Sequence, residues 1–375
     1  MSVEAPTDES PLNGGTVQHR TIDGERELPQ TTAAESHHGV EADANLNALF
    51  GGRRPTPEMA EVLMALQMLD AKPLDSLDVR QARRQPTMAD AVRVLLRERG
   101  ESADHEDVGD VQDSVIEGPA GDIPIRVYTP ASMDVADRAM PLIVYFHGGG
   151  WVVADLDTYD ASARALCNVA HAVVVSCHYR QAPEHRFPAA HQDAYAAYRH
   201  IALHARDYGG DPSRIAVVGE SAGGNLAAVC CLNAKLEGIR EPVHQVLIYP
   251  IADNDMETES YREMVKAIPL SSPTMRWFFQ QYLERPAQGE TPAISLRRAA
   301  SLHGMPPVTL LCAELDPLRS EGEGLADRFA RSGVPAAQRT YAGVTHEFFG
   351  LAPVLTSARD AQRFVGERLR DAFFP

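Results

Sequence analysis

Short runs of apolar residues recur along most of the chain and alternate with longer segments of helical periodicity. Five of these runs are continuously apolar, which is typical of strands covered on both faces of a sheet: residues 142–146, 172–177, 215–219, 246–250 and 308–313. Helical periodicity recurs after several of them, at residues 188–205, 222–236, 321–331 and 356–374. This alternation predicts an α/β fold, in which a mostly parallel sheet carries helices on both faces.

Two more strands are predicted at the start of this region, and one segment interrupts it. Residues 111–118 and 123–128 alternate apolar and polar positions around a glycine-containing turn, which predicts a half-exposed hairpin. Residues 252–300 have no strand pattern but contain the amphipathic segment 275–283 (MRWFFQQYL). We therefore expect a helical insertion at the carboxyl edge of the sheet, where ligands bind in such folds.

The amino-terminal part of the chain has a different texture. Residues 1–50 contain nine acidic residues against two arginines and little apolar clustering, which predicts a disordered acidic tail. Residues 57–69 and 87–99 have helical periodicity, and Thr56 with Pro57 gives the first of them a typical start. Their apolar faces are too small to fold alone, so that these helices need a partner surface.

Charge and cysteine content exclude several classes of function. The formal net charge is −17, from 35 basic and 52 acidic residues, and an acidic surface repels nucleic acid and anionic lipid. The five cysteines include no C-x-x-C pair, which argues against a disulfide framework or a zinc site. We see no signal peptide and no apolar run of the length needed to span a membrane, so that we expect a cytoplasmic protein.

A glycine-rich pentapeptide follows one of the predicted buried strands. Residues 219–223 read Gly-Glu-Ser-Ala-Gly, a G-x-S-x-G pattern between the strand 215–219 and the helix 222–236. On a tight strand-to-helix turn, small neighbours leave the hydroxyl of Ser221 above the sheet edge. The amino terminus of the following helix stabilises negative charge that develops there. The pattern alone also fits an ordinary glycine-rich turn.

A second glycine run follows the strand at 142–146. Residues 147–150 read His-Gly-Gly-Gly, so that no side chain stands between a substrate oxygen and the backbone N–H groups of Gly148 and Gly149. Together with the N–H group of Ala222, these donors would form an oxyanion hole. A phosphate-binding loop is the alternative, but the Lys-Ser/Thr pair of a P-loop and the G-x-G-x-x-G spacing are both missing.

A serine nucleophile needs a base, and the base needs a carboxylate that orients it. Asp316 follows the strand at 308–313, and His346 follows the strand pattern at 338–343. The order Ser221, Asp316, His346 is that of the α/β-hydrolases. Taken singly, Asp316 fits a helix cap and His346 an ordinary loop histidine. The His-Gly-Gly-Gly run, the G-x-S-x-G pattern, Asp316 and His346 occur in one chain in the expected order, and together they favour a Ser–Asp–His triad.

Other polar and aromatic residues are weaker candidates. His185, His191 and Asp193 lie close together in sequence, but their spacing fits no standard set of metal ligands. The adjacent Cys230 and Cys231 lie within a predicted helix and are more typical of a core than of redox chemistry. Several aromatic residues could line a substrate pocket or simply pack in the core: Trp151, Trp277, Phe278, Phe279 and Tyr282.

Five segments resemble the hormone-sensitive-lipase-like branch (bacterial family IV) of the α/β-hydrolases, which contains many carboxylesterases. They are HGGGW at 147–151, YRQAPEHRFPAA at 179–190, GESAGGNL at 219–226, DPLRSEG at 316–322 and THEFF at 345–349. The resemblance implies an α/β-hydrolase core over 105–375 and an N-terminal helical cap over 51–104. It also implies the triad and the oxyanion donors named above. The family usually has Asp where Glu220 stands, and 1–50 match nothing in its pattern.

The motifs and the resemblance together predict a serine carboxylesterase that hydrolyses short-chain acyl esters through an acyl-enzyme intermediate. The expected partner is a small ester, and the mechanism requires no metal or cofactor; a homodimer is left open. The same fold also supports non-catalytic binding proteins, and the same triad supports amide hydrolysis or acyl transfer. Retention of His346 favours an enzyme over a binding protein.

Overall fold

The computed structural model describes residues 46–131 and 139–375, and eight strands within these ranges form one mixed sheet; numbered along the chain, they lie side by side in the order first, second, fourth, third, fifth, sixth, seventh, eighth. The strands are β1 (Asp110–Gly118), β2 (Gly121–Thr129), β3 (Met140–Phe146), β4 (Val173–Cys177), β5 (Gly210–Glu220), β6 (His244–Ile248), β7 (Val308–Leu315) and β8 (Ala336–Thr345). The β1–β2 and β2–β4 pairs are antiparallel, whereas the pairs from β4 through β8 are parallel. The predicted hairpin and mostly parallel sheet are thereby confirmed.

Helices cover both faces of this sheet. Among the described residues they are α1 (Pro57–Met68), α2 (Val79–Ala82), α3 (Met88–Glu98), α4 (Asp160–Ala170), α5 (Ala189–Leu203), α6 (Ala222–Glu237), α7 (Glu259–Glu263), α8 (Ser272–Tyr282), α9 (Arg319–Arg331) and α10 (Thr356–Phe373). The insertion predicted over 252–300 contains α7, α8 and short 3₁₀ turns. No helix of the described segments is long and apolar enough to cross a bilayer.

The central strands divide the apolar core into two layers. Successive side chains of a strand point to opposite faces, and in β3 Leu142 and Val144 join one layer while Ile143 and Tyr145 join the other. The first layer packs against α5, α6, α8 and α9, and the second against α1, α3, α4 and α10. Continuously apolar strands are needed because both faces are covered.

The sequence patterns did not predict helix α4, because its capping residues and apolar periodicity give only weak signals. No side chain caps its amino terminus, and it ends at His171 in the left-handed conformation instead of at a glycine. Its buried face consists largely of Ala163, Ala165 and Cys167, which give a weak apolar period. The usual start, stop and periodicity signals of a helix are therefore faint here.

The amino-terminal helices are fastened to the core. Thr56 caps α1 by accepting a hydrogen bond from the N–H group of Met59, and the backbone N–H of Thr56 donates to the carbonyl of Gly343. Arg53 pairs with Glu263 and with Glu314 at the end of β7. The partner surface that these helices need is thus the edge of the sheet where β7 and β8 end.

The predicted acidic tail lies mostly outside the described residues. Its last five residues, 46–50, are an exception, since Leu46 and Phe50 are buried in the same layer as Met59 and Leu63 of α1. Extending a disordered tail to residue 50 was therefore wrong. Leu46 and Phe50 are separated by only one helical turn, and two apolar residues in an acidic segment are too short a pattern to predict a buried helix.

Candidate active site

Ser221 occupies a sharp turn between β5 and α6. Its backbone has φ 57° and ψ −118°, a conformation that side-chain-bearing residues rarely adopt. A Cβ atom at Gly219 would collide with the carbonyl of Gly223, and one at Gly223 would collide with the carbonyl of Phe146. Both flanking glycines of the G-x-S-x-G pattern are therefore required by close backbone packing, as expected for a nucleophile turn.

Neighbouring backbone holds this strained turn in place. The N–H group of Ser221 donates to the carbonyl of Ile248 at 2.9 Å, and the carbonyl of Ser221 accepts from the N–H groups of Asn225 and Ile251. The end of β6 thus supports the turn from the side. Within the described residues Ser221 Oγ makes no hydrogen bond, and bonds to a catalytic base often tighten only in the substrate complex.

Asp316 and His346 form a buried hydrogen-bonded pair, and the ring of His346 lies against Tyr249, the residue after Ile248, which supports the turn. His346 Nδ1 lies 2.6 Å from Asp316 Oδ2, and both side chains are buried. The other oxygen, Asp316 Oδ1, accepts the N–H of Leu318 at 2.8 Å, which fixes the carboxylate. Burial opposes protonation of His346, but the charge of Asp316, the hydrogen bond to it and the charges of Glu347 and Glu220 together outweigh burial, so that the pKa of His346 is raised.

The glycine run after β3 leaves its backbone donors free. Among the described residues, none accepts a hydrogen bond from the N–H groups of Gly148, Gly149 or Ala222. The hydroxyl of Tyr179 donates to the carbonyls of His147 and Gly148, each at 3.0 Å, and so holds those carbonyls. The three N–H groups predicted as oxyanion donors are thus available to a substrate oxygen.

His147 supports this loop as a neutral imidazole. Its ring stacks on Tyr179 with centroids 4.5 Å apart, and its Nε2 lies 3.0 Å from Nδ1 of His178. Burial, with repulsion from His178, lowers the pKa of His147 to about 3. Neither His178 nor Tyr179 was singled out in the sequence, although both lie beside or within the YRQAPEHRFPAA segment.

Glu220, the residue before the candidate nucleophile, is buried among tyrosines. The hydroxyl of Tyr145 donates to Glu220 Oε1 at 2.6 Å, and that of Tyr249 donates to Glu220 Oε2. Burial raises the pKa of Glu220, and the hydroxyl donors oppose that increase. Neither tyrosine was predicted as a functional residue; the available signal was one hydroxyl-bearing residue within each of two otherwise apolar strand runs.

The residues weighed as metal ligands do not form a metal site. His191 contacts the hydroxyl of Tyr282 and the amide oxygen of Asn225, whereas Asp193 pairs with Arg180. His185 is exposed. Across residues 46–131 and 139–375, no group of three or more His, Cys, Asp or Glu side chains could hold a metal ion.

The aromatic candidates separate into those that pack against the core and those that lie against the glycine run. Trp151 has none of its surface exposed and stacks on Tyr282, with ring centroids 4.5 Å apart. By contrast, the ring of Phe278 lies against Gly150, where a Cβ atom would collide with it, and Trp277 packs edge-on against Phe278. Helix α8 therefore places Phe278 directly beside the glycine run, whereas Trp151 packs beneath it.

Comparison with known proteins places these features in a family. The family model described as the alpha/beta hydrolase fold matches residues 143–350. The carboxylic ester hydrolase LipN of Mycobacterium tuberculosis is 42% identical over 64% of this chain and 65% of LipN, just under two thirds of its length. The esterase LipI of the same organism is 38% identical over 72% of this chain and 85% of LipI.

Other relatives extend over more of the chain. The ethyl acetate hydrolase of Pseudomonas putida is 33% identical over 80% of this chain and 92% of its own length. Among solved structures, a hyperthermophilic esterase from the archaeon Pyrobaculum calidifontis superposes with a TM-score of 0.75 at 34% identity. That match covers 85% of this chain and 98% of the esterase.

Proposed function

Since the chain belongs to the hormone-sensitive-lipase-like branch of the α/β-hydrolases, we propose that it is a serine carboxylesterase. The observation that carries this proposal is the buried Asp316–His346 pair, whose imidazole packs on Tyr249 after the strand end that supports the strained turn of Ser221. Activation of a serine hydroxyl needs the nucleophile, the base and the acid together. This chain has all three, as Ser221, His346 and Asp316.

In the proposed reaction, Ser221 Oγ attacks the ester carbonyl and His346 accepts its proton. Because Asp316 engages Nδ1 of His346, Nε2 is the nitrogen left to take that proton. Asp316 holds the imidazole in this tautomer and stabilises the imidazolium that forms. The protonated His346 then donates to the departing alcohol, which leaves the acyl group on Ser221.

The oxyanion of the tetrahedral intermediate requires hydrogen-bond donors that are already in place. The free N–H groups of Gly148, Gly149 and Ala222 supply them, and Ala222 also begins α6, whose amino terminus favours negative charge. Each such donor typically contributes about 3 kcal/mol to the transition state. Water activated by His346 then hydrolyses the acyl-enzyme, with no step that needs a metal or cofactor.

We further propose that the substrates carry short acyl chains. The ring of Phe278 packs against Gly150, and Trp277 packs against that ring, so that bulky aromatic groups border the oxyanion loop. One relative carries the name ethyl acetate hydrolase, an enzyme for a two-carbon acyl group. A series of nitrophenyl esters from acetate to decanoate tests this; we expect kcat/KM to peak between acetyl and hexanoyl.

Rapid mixing with nitrophenyl acetate distinguishes an esterase from a protein that only binds esters. We expect a burst of nitrophenol close to one equivalent of enzyme, followed by slower turnover, because acylation precedes hydrolysis of the acyl-enzyme. Ser221→Ala should give neither burst nor turnover, with an unchanged circular dichroism spectrum, since a small side chain suits the turn. Turnover by that variant at more than a trace of the wild-type rate would refute the proposed nucleophile.

A further inference from the structure

Glu220 joins the carboxyl ends of three adjacent strands. It is the last residue of β5 and is buried, with 1% of its surface exposed. It accepts hydrogen bonds from Tyr145, near the end of β3, and from Tyr249, directly after β6. These are the strands that lead into the glycine run, the nucleophile turn and the loop that supports that turn. One carboxyl group therefore contacts all three.

Tyr249 connects this carboxyl group to the candidate base. The ring of Tyr249 lies against that of His346, with centroids 4.6 Å apart and planes at 51°. The backbone of Tyr249 has φ 36°, a value that is strained for a bulky residue. A hydrogen bond at the far end of the ring, to Glu220, holds Tyr249 in this conformation and so fixes the surface on which His346 packs.

The length of the side chain at position 220 matches this arrangement. Each oxygen of the carboxyl group accepts one tyrosine hydroxyl, and the two tyrosines come from strands on opposite sides of β5. Aspartate, one methylene shorter, would draw both oxygens back from these hydroxyls. The tyrosine pair thus accounts for the presence of glutamate at a position where the family usually has aspartate.

On the basis of the proposed esterase function, we propose that Glu220 is a positioning residue for catalysis. It fixes the Tyr249 ring on which His346 packs and contributes a carboxylate to the electrostatic field at that imidazole. The carboxyl group touches neither substrate nor the reacting atoms, so that its effect passes through Tyr249 and through the electrostatic field at His346.

The charged groups around His346 determine the sign of the expected effect. They are Asp316 after β7, Glu347 next in the chain and Glu220 at the end of β5, and each stabilises the imidazolium form. Glu220 itself faces Tyr145, Tyr249, Ser162 of α4 and Glu347. Because only neutral His346 accepts a proton, the acidic limb of kcat/KM reports its pKa. Removal of one of these negative charges should move that limb to lower pH.

Glu220→Gln retains the length of the side chain but removes its charge. We expect the acidic limb of kcat/KM for nitrophenyl acetate to move down by on the order of one pH unit. Glu117→Gln, at an exposed position of β1, removes the same formal charge far from the site and should leave the limb unchanged. A limb at the wild-type position in Glu220→Gln would overturn the electrostatic part of the proposal.

Glu220→Asp retains the charge but shortens the reach. We expect its acidic limb within about 0.3 pH units of wild type and its kcat reduced roughly tenfold, with KM little changed, as misplacement of the base predicts. Tyr249→Phe removes one of the same hydrogen bonds without altering Glu220, and it should also lower kcat. It therefore tests the positioning role even where the Glu220 variants do not fold. Wild-type kcat in Glu220→Asp, or in Tyr249→Phe, would overturn the positioning role.

These outcomes are separable from failure of the proposed function. If Ser221→Ala is inactive while the Glu220 and Tyr249 variants behave as wild type, the esterase mechanism stands and the role of Glu220 is refuted. If Ser221→Ala retains turnover, the triad itself is refuted, whatever the Glu220 variants show.

Discussion

The hydrogen bond between Asp316 and His346 determines which nitrogen of the imidazole carries the proton. Asp316→Asn would replace the acceptor with an amide that can donate, which favours the wrong tautomer. We expect kcat to fall by about 10⁴-fold with little change in the fold. Steady-state kinetics on nitrophenyl acetate, with the circular dichroism spectrum as a check, would measure this loss.

Glu314 provides a comparison two residues earlier in the chain. Its side chain pairs with Arg53 and accepts a hydrogen bond from the N–H of Gly343, and neither contact involves His346. Glu314→Gln should therefore reduce kcat far less than Asp316→Asn does. If only the Glu314 variant lost four orders of magnitude, the catalytic acid would have been assigned two residues too late.

The pH dependence of kcat/KM should follow protonation of His346. Burial lowers the pKa of this imidazole, but Asp316, Glu347 and Glu220 together stabilise the charged form more, so that the pKa is raised above its ordinary value of about 6.5. Activity should therefore be full above that pKa and be lost as the pH falls through it, with an acidic limb above about pH 6.5. A profile that stays flat from about pH 5 to 9 would exclude histidine as the base.

At the scale of single elements, α1 shows how the amino-terminal helices are stabilised. Leu63 is fully buried in the layer beneath the sheet edge, whereas Met68 on the same helix is 56% exposed. Leu63→Ala should lower the free energy of unfolding by about 2–5 kcal/mol, and Met68→Ala by less than about 1 kcal/mol. Urea denaturation of both variants would measure these costs; equal costs would show that α1 is not packed on the core.

Helix α8 is the element that brings an aromatic side chain to the oxyanion loop. Phe278→Ala would open space beside Gly150, so that the acyl-chain optimum should move to longer esters while kcat for acetate falls only a fewfold. Phe279→Ala is a matched control, because Phe279 faces Trp151 instead of the glycine run. The nitrophenyl ester series measures both variants; an unchanged optimum in Phe278→Ala would remove α8 from the substrate pocket.

The elements were predictable from sequence to the extent that their signals were local. The fully apolar strands, the capped helix α1 and the G-x-S-x-G turn each carry their signal within a few residues. Helix α4 has neither a capping side chain nor a strong apolar face and was missed. Tyr145 and Tyr249 were missed for a different reason, since their role depends on contact with Glu220 across three strands, which no linear spacing encodes.

At the scale of the whole molecule, the amino-terminal region is tied to the core at several separated points. Besides Arg53, Glu58 accepts hydrogen bonds from Thr356 at the start of α10, and Asp75 accepts one from Thr274 of α8. These contacts bridge the sheet edge that carries the site. We propose, as the sequence led us to expect, that residues 51–104 act as a cap over it.

Truncation tests the cap directly. Deletion through Gly100 would remove α1 and α3 and uncover their buried partners, at a cost of about 25 cal/mol for each Å² of apolar surface. We expect loss of activity, of solubility, or of both. Deletion of residues 1–45 removes none of the contacts described above and should leave kcat/KM nearly unchanged. Full activity with the same acyl preference after deletion through Gly100 would show that these helices are not a cap.

The proposed mechanism requires that Ser221 carry the acyl group during turnover. Acid quenching during hydrolysis of a slowly deacylated ester, followed by mass spectrometry of the intact protein and its peptides, tests this most directly. We expect a mass increase of one acyl group, located on the peptide that contains Ser221 and absent in Ser221→Ala. An acyl group on another residue, or rapid turnover without any acylated protein under conditions where deacylation limits the rate, would contradict this mechanism.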